Sequence, residues 1–387
     1  MLSKSNLYYY LMESQNSKDP FIIMTILYIA LGLLAALQAA LVPLGYMKSP
    51  VTLTWVRIHF VTLGILTQTL FGAIPRSLGS KRPRWDIWLL LNSGIFTFFF
   101  GRSILDFDVM LTGAVLLFIA TILFMIQVFG TGSSSSRYFY IVGSFFLLIG
   151  ITVGAGIWGS WKSPLGVVGN ILEVHIHANN WGFMSMIFTG VVIDLYSNYF
   201  KVEMKWKGSL NTILILETLG ALGLVFGPWL GNTPVIVIGM LFFIVATVWF
   251  LLAIILPVKD KTEVGFLHLA LSYVWIFMPL FFAPFVLFEQ AGFEKVEPNA
   301  PQALIYGWVL QAGVALVPYF ISKAKGTTPK LGGSWISLIG LNLGAAILWI
   351  AIFSGDLLST LLGTAYVIWT LSIIPFLLEV YKLFTEE

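Results

Sequence analysis

The chain has 387 residues, of which 58% are apolar and only 10% are charged. Soluble domains typically carry about 25% charged residues, so this composition excludes an ordinary soluble enzyme and a disordered chain. A mean hydropathy of +0.91 agrees, and it predicts a polytopic membrane protein. The net charge of +3 is too small to favour a nucleic-acid partner.

Twelve apolar stretches are long enough to cross a bilayer, which requires about 20 residues per helix. They predict an all-α membrane protein with a single transmembrane domain, preceded by a short polar segment at residues 1–20 that lacks the apolar core of a secretory signal. The predicted spans are residues 21–44, 52–74, 85–101, 109–129, 138–158, 171–196, 210–230, 235–256, 265–288, 303–321, 335–353 and 357–378.

Lysine and arginine are distributed unequally between the two sides of this predicted topology. Of the 21 basic residues, sixteen fall on the side that also carries both termini. The other five are Lys48, Arg57, Arg102, Lys162 and Lys295. Because cytoplasmic loops are enriched in basic residues, we expect a multi-pass protein of the cell membrane with both termini in the cytoplasm.

Histidines are the strongest candidate ligands, because the chain has no cysteine for thiolate metal sites or iron–sulfur clusters. There are four: His59, His175, His177 and His268. The predicted topology places the first three in the outer third of the membrane and His268 near the cytoplasmic side. Imidazole binds copper, zinc and haem iron, so the outer three are predicted to hold a metal or a haem. A purely structural hydrogen-bonded network is the alternative.

A short repeat connects two of the predicted spans. The pattern I-H-x4-G-x7-G begins at Ile58 in span two and at Ile176 in span six. In span ten, Gln302-x4-Gly307 keeps half of the pattern with glutamine in place of histidine. Repeats four spans apart predict three groups of four helices. The glycines would allow close helix approach or leave room for a flat macrocycle.

The histidines of this repeat are His59 and His177, so we expect them to face one another and to share one metal or one haem. His175 lies two residues before His177, about 200° around an ideal helix. It is therefore predicted to face a different neighbour and to serve a neighbouring centre.

Three further polar residues are candidates for orienting these ligands or carrying protons. Glu173 shares a helix face with His177, and Asn179 shares one with His175. Glu217 lies inside predicted span seven, where a carboxyl group needs a partner or a proton.

These features resemble subunit I of the haem–copper oxidase superfamily: twelve spans with both termini inside, and histidines at the outer starts of spans two and six. In that family the second-span histidine binds low-spin haem and the sixth-span histidine is a copper ligand. The positions fall here on His59 and on His175 or His177. The chain is also similar in outline to the NnrS family of haem- and copper-containing membrane proteins. The likeness in topology covers the whole chain, whereas the motifs cover only spans two and six.

The chain also departs from the oxidase pattern. Span ten contains no histidine, the His-x-His unit lies on span six, and Asn179 and Trp181 occupy positions where a histidine–tyrosine pair would be sought. Four histidines are too few for a complete set of haem and copper ligands. The resemblance therefore implies a reduced relative that keeps one haem or copper site and is not a complete terminal oxidase.

On this resemblance the protein would bind haem, copper or both, and act in electron transfer, in handling nitric oxide or oxygen, or in metal homeostasis. Its partners would be the lipid bilayer, an electron donor or other membrane subunits. The sequence leaves open whether a reaction is catalysed. Two other functions are compatible with the sequence: a transporter or channel whose pocket uses the outer histidines and Glu217, or a non-catalytic subunit with structural histidines.

Overall fold

The computed structural model describes residues 19–48, 53–80, 82–131, 134–159, 169–201, 208–258 and 263–385. Within these ranges the chain forms twelve helices and no strand, and eleven of the helices are long and apolar enough to cross a membrane. The predicted all-α polytopic membrane fold is therefore confirmed.

The helices are numbered α1 to α12 in chain order. Helices α1 to α5 are Pro20–Leu41, Trp55–Ser77, Trp85–Ile104, Phe107–Gly130 and Ser136–Trp158. Helix α6 is continuous through Ile171–His177, Ala178–Met184, Ser185–Leu195 and Tyr196–Phe200. Helices α7 to α12 are Ser209–Leu230, Thr233–Val258, Val264–Leu287, Val296–Ala324, Trp335–Ile352 and Gly355–Thr385. Helix α10 begins before the predicted 303–321 and α12 ends after the predicted 357–378, because both helices continue past the apolar stretch that defined the prediction.

Parts of the predicted topology lie outside the described residues. Residues 1–18 of the polar N-terminal segment do so, together with eight basic residues: Lys4, Lys18, Lys81, Lys162, Lys205, Lys207, Lys259 and Lys261. The end of the bundle at which α1 begins and α12 ends is called the terminal face below, and the other end is called the opposite face.

Polar side chains start several of the helices. The side chains of Asp19, Asp106, Asn170, Asn232 and Ser334 accept hydrogen bonds from backbone N–H groups in the first turns of α1, α4, α6, α8 and α11. These bonds satisfy donors that have no partner within the helix, which matters most where lipid excludes water.

Helices α2, α6 and α10 form the centre of the bundle. Residues 64–72 of α2, 180–196 of α6 and 303–322 of α10 are all buried. The surrounding helices expose large apolar side chains such as Leu34, Leu89, Ile339 and Leu371. Exposed apolar surface of this extent suits contact with lipid chains, while the polar residues are kept inside.

Each group of four helices is held by an aromatic ring that packs against the repeat glycine. The ring comes from the first helix of the group and the glycine from the second. The three pairs are Tyr28 on Gly64, Phe146 on Gly182 and Trp275 on Gly307. A Cβ atom at Gly64 would stand 2.9 Å from the ring of Tyr28, and one at Gly307 would stand 2.6 Å from that of Trp275. Of the two roles predicted for these glycines, close helix approach is the one present.

Two other features recur among these groups, one in all three and the other in two of them. The third and fourth helices of each group, α3 with α4, α7 with α8 and α11 with α12, pack extensively against one another. In the first and third groups an aromatic donor also bonds an asparagine of the third helix: Tyr28 Oη donates to Asn92 Oδ1 at 2.9 Å, and Trp275 Nε1 donates to Asn342 Oδ1 at 2.9 Å. These recurrences agree with the predicted three groups of four helices.

The repeat glycines also lie where the central helices widen. Phe60–Thr67 in α2, Ala178–Met184 in α6 and Ile305–Val309 in α10 are π-helical, and each contains one of the three glycines. In α2 and α6 this stretch begins immediately after His59 and His177. π-Helical turns are rare and often occur at functional sites, so they mark the same level of all three central helices.

We expect Gly182→Ala to destabilise the protein by about 1–3 kcal/mol, because its methyl group would overlap with the ring of Phe146. Gly130→Ala is the matched control, since nothing lies within 4 Å of a Cβ atom there. The measurement is thermal unfolding of the detergent-solubilised protein. Combining Gly182→Ala with Phe146→Val should recover part of the loss, whereas equal melting of Gly182→Ala and the unaltered protein would contradict the packing described.

Candidate functional site

A cavity of about 470 Å³ lies among the helices of the first two groups, closed on one side by α10. Apolar and aromatic side chains form most of its wall. Two imidazoles, those of His59 on α2 and His175 on α6, are the basic groups that line it. Its volume lies within the roughly 300–1,000 Å³ of small-molecule and cofactor pockets.

His59 is held by its own helix. Its Nδ1 atom lies 2.7 Å from the backbone oxygen of Trp55, one turn earlier, and its ring stacks on the indole of Trp55 with centres 4.1 Å apart. A carbonyl oxygen can only accept, so Nδ1 carries the proton and Nε2 keeps its lone pair. The indole and the carbonyl together fix the direction in which the imidazole points.

His175 is held by the neighbouring helix α5. Its Nδ1 atom lies 2.8 Å from the backbone oxygen of Gly150, which fixes the same tautomer as in His59. Two glycines of α5 make the room: a Cβ atom at Gly154 would stand 2.8 Å from the imidazole, and one at Gly150 would stand 2.5 Å from the Asn179 amide. Asn179 donates from Nδ2 to the backbone oxygen of His175 at 2.8 Å.

The two imidazoles form a pair across the cavity. Their ring centres are 6.3 Å apart and their planes differ by 23°. In the described part of the chain, neither Nε2 atom has a hydrogen-bond partner. Both rings therefore offer a lone pair while their other nitrogens are fixed by backbone carbonyls, the arrangement that metal-bound histidines usually have.

The pairing differs from the predicted one. His177 is not part of the cavity wall, and its Nδ1 atom lies 2.6 Å from the backbone oxygen of Leu224 on α7. The prediction that His59 and His177 face one another is therefore corrected: His175 is the residue that faces His59. The two positions do point in different directions, as their two-residue spacing requires, but α6 is rotated so that His175 faces α2.

The three other candidate residues are placed differently from one another. Asn179 shares the face of His175, as predicted, and lines the cavity. Glu173 accepts a hydrogen bond from Asn170 Nδ2 at 2.8 Å, and no hydrogen bond joins it to an imidazole in the described residues. Glu217 is buried away from the cavity, where Ser185 and Thr189 of α6 donate to its Oε1 atom. Its predicted role in proton transfer stays a prediction.

Sequence reasoning did not single out Trp55, Gly150 and Gly154 as site residues. A signal was present for each. Trp55 precedes His59 by four residues, which places both on one helix face. Gly150 and Gly154 have the spacing of small residues that let two membrane helices approach closely.

The described residues hold no cluster of three or more His, Asp or Glu side chains that could coordinate a bare metal ion. Structural and catalytic zinc sites and blue-copper sites use three or more protein ligands, whereas haem iron needs only axial ligands from the protein.

Comparison with models of known protein families and with curated proteins gives no match to this chain.

His268 lies apart from the cavity, in a structural network. Its Nε2 atom is 3.1 Å from Ser337 Oγ and 3.3 Å from the backbone oxygen of Ser334, the two serines that cap the start of α11. Gln311 Nε2 contacts the backbone oxygen of His268 at 3.3 Å. The imidazole is fully buried and joins α9 to α11.

We expect His268→Ala to lower stability by about 1–3 kcal/mol without affecting anything bound at the cavity, because it removes a fully buried imidazole and its hydrogen bond between α9 and α11. Thermal unfolding and the content of bound cofactor, measured on the same sample, separate the two effects. Loss of cofactor from a variant that still unfolds cooperatively would show that His268 belongs to the site.

Proposed function

We propose that the protein binds one haem between His59 and His175 and acts in electron transfer. The observation that carries the proposal is the imidazole pair, with ring centres 6.3 Å apart and both Nε2 atoms available. Two metal–nitrogen bonds of about 2 Å each, extended to the ring centres, give a separation of about 6 Å. The distance is therefore suited to two axial ligands on one iron.

The cavity supports haem over a bare copper ion. A two-coordinate metal would leave most of the 470 Å³ empty, whereas a flat macrocycle would fill it. The wall is largely apolar, with Phe98, Leu117, Leu147 and Phe183 among its side chains. Such a wall favours an apolar ring over hydrated ions.

The imidazole pair also favours one of the functions that the resemblance implies. His59 and His175 would both be engaged in holding the haem, which would supply one-electron chemistry there. Binding of nitric oxide or oxygen would need one imidazole to leave, yet Gly150 and Trp55 hold both in place through their backbone oxygens. Electron transfer is the function that needs no such displacement. This agrees with a reduced relative of the haem–copper oxidases rather than a complete oxidase.

His59→Ala and His175→Ala are expected to abolish the low-spin absorption bands of the haem-loaded protein, because each removes an axial nitrogen. His177→Ala is the matched control: it removes the same side chain from the same helix two residues away. The measurement is an absorption spectrum of each purified variant after titration with haem. Retention of the bands in His175→Ala with loss in His177→Ala, or no haem binding by the unaltered protein, would contradict the proposal.

We further propose that the terminal face lies in the cytoplasm. Of the basic residues that the structure describes, nine lie towards this face and four towards the opposite one. The four are Lys48, Arg57, Arg102 and Lys295. The excess agrees with the retention of basic residues on the cytoplasmic side of membranes.

This orientation predicts the result of reporter fusions. A reporter joined after Lys330 should be active in the cytoplasm, and one joined after Lys295 should be active outside, because helix α10 separates the two sites. Each fusion is the control for the other. The reverse pair of results would invert the orientation, and equal results would show that α10 does not cross the membrane.

A further inference from the structure

Arg102 lies beside two aromatic side chains of the histidine cavity, and no carboxylate pairs with it among the described residues. It is near the end of α3, at the opposite face, with its guanidinium carbon 3.8 Å from the ring centre of Trp158 and 5.8 Å from that of Trp55. Both indoles line the cavity. Trp55 in turn stacks on His59, so the cation is separated from a candidate axial ligand by one aromatic ring.

No ion pair includes Arg102 in the part of the chain that the structure describes. The ion pairs in the described residues are Asp19 with Arg76 and Arg84 with Asp86. Residues 49–52 and 160–168, which are not among the described residues, contain no Asp or Glu. The Nε atom of Arg102 is buried and has no hydrogen-bond partner among the described residues. The indole faces stabilise the cation but leave its N–H groups free to bind an anion.

The acidic residue closest in sequence to Arg102 is engaged elsewhere. Asp106 Oδ1 accepts a hydrogen bond from the backbone nitrogen of Val109 at 3.1 Å, where it caps α4. A guanidinium presents donors in a planar fork that matches the two oxygens of a carboxylate. The guanidinium of Arg102 is therefore suited to bind an acidic group on the molecule that fills the cavity.

We propose that Arg102 binds a carboxylate of the cavity's occupant, so that the site selects a haem with free acidic side chains over an esterified or otherwise neutral one. This inference rests on the proposed haem site. The apolar part of the ring would lie between His59 and His175, and its acidic edge would reach the rim at Arg102. Such an orientation places one edge of the macrocycle towards the water at the opposite face.

The test compares two porphyrins on the same full-length protein. Iron protoporphyrin IX and its dimethyl ester differ only in their carboxylates, and each is titrated into the purified protein while the absorption spectrum is recorded. The unaltered protein should bind the free acid about tenfold more tightly than the ester, as expected for a charge-assisted contact. Arg102→Gln should lose this preference, and Arg102→Lys should keep part of it because it keeps the charge.

Arg137→Gln is the matched control, since Arg137 also rests on aromatic rings, Phe129 and Tyr138, but at the terminal face. It should keep the full preference for the free acid. Equal binding of acid and ester by the unaltered protein, or an undiminished preference in Arg102→Gln, would overturn the role of Arg102 while the haem site stands. Failure of the unaltered protein to bind either porphyrin would overturn both. Melting temperatures of all variants show whether any loss comes from misfolding.

Discussion

The contact between an aromatic ring and a glycine of the next helix sets the spacing on which the whole bundle depends. It occurs once in each group of four helices, at Gly64, Gly182 and Gly307. Apolar attraction between helices is weak in lipid, because lipid chains are as apolar as the side chains, so close backbone approach and shape have to supply the specificity. An aromatic ring that can pack closely only against a glycine fixes the distance between two helices and their rotation relative to each other. The three central helices inherit their arrangement from these contacts.

The backbone repeat is not matched by the side chains at its histidine position. His59 is turned towards the cavity, His177 bonds a carbonyl of α7, and Gln302 accepts from Arg57 and Tyr366. One framework thus supports three different polar arrangements. The cavity forms where the first two groups meet, and there the second ring comes from His175, which has no counterpart in the repeat. The result is an asymmetric site within a nearly threefold bundle.

Apolar stretches and turn residues were sufficient to predict twelve helices, because each span must satisfy its backbone within itself. The repeat predicted either close helix approach or room for a macrocycle at its glycines, and close approach is the arrangement present. The choice between His175 and His177 failed for a physical reason: periodicity fixes the angle between two side chains but not the rotation of their helix against its neighbours. That rotation comes from the seating of Phe146 on Gly182, together with the space at Gly150 and Gly154 for His175 and Asn179. Such contacts join residues distant in sequence, and no local pattern reports them.

His59 belongs to the first group of four helices, and His175 is anchored through Gly150 to the second. A molecule that bonded both imidazoles would therefore join the first group of helices to the second. Its affinity for the assembled bundle would add to the stability of that junction by mass action. The empty and the filled protein would then have similar shapes but differ in the stability of this junction. Maturation of the protein in the membrane would depend on the supply of the molecule that fills the cavity.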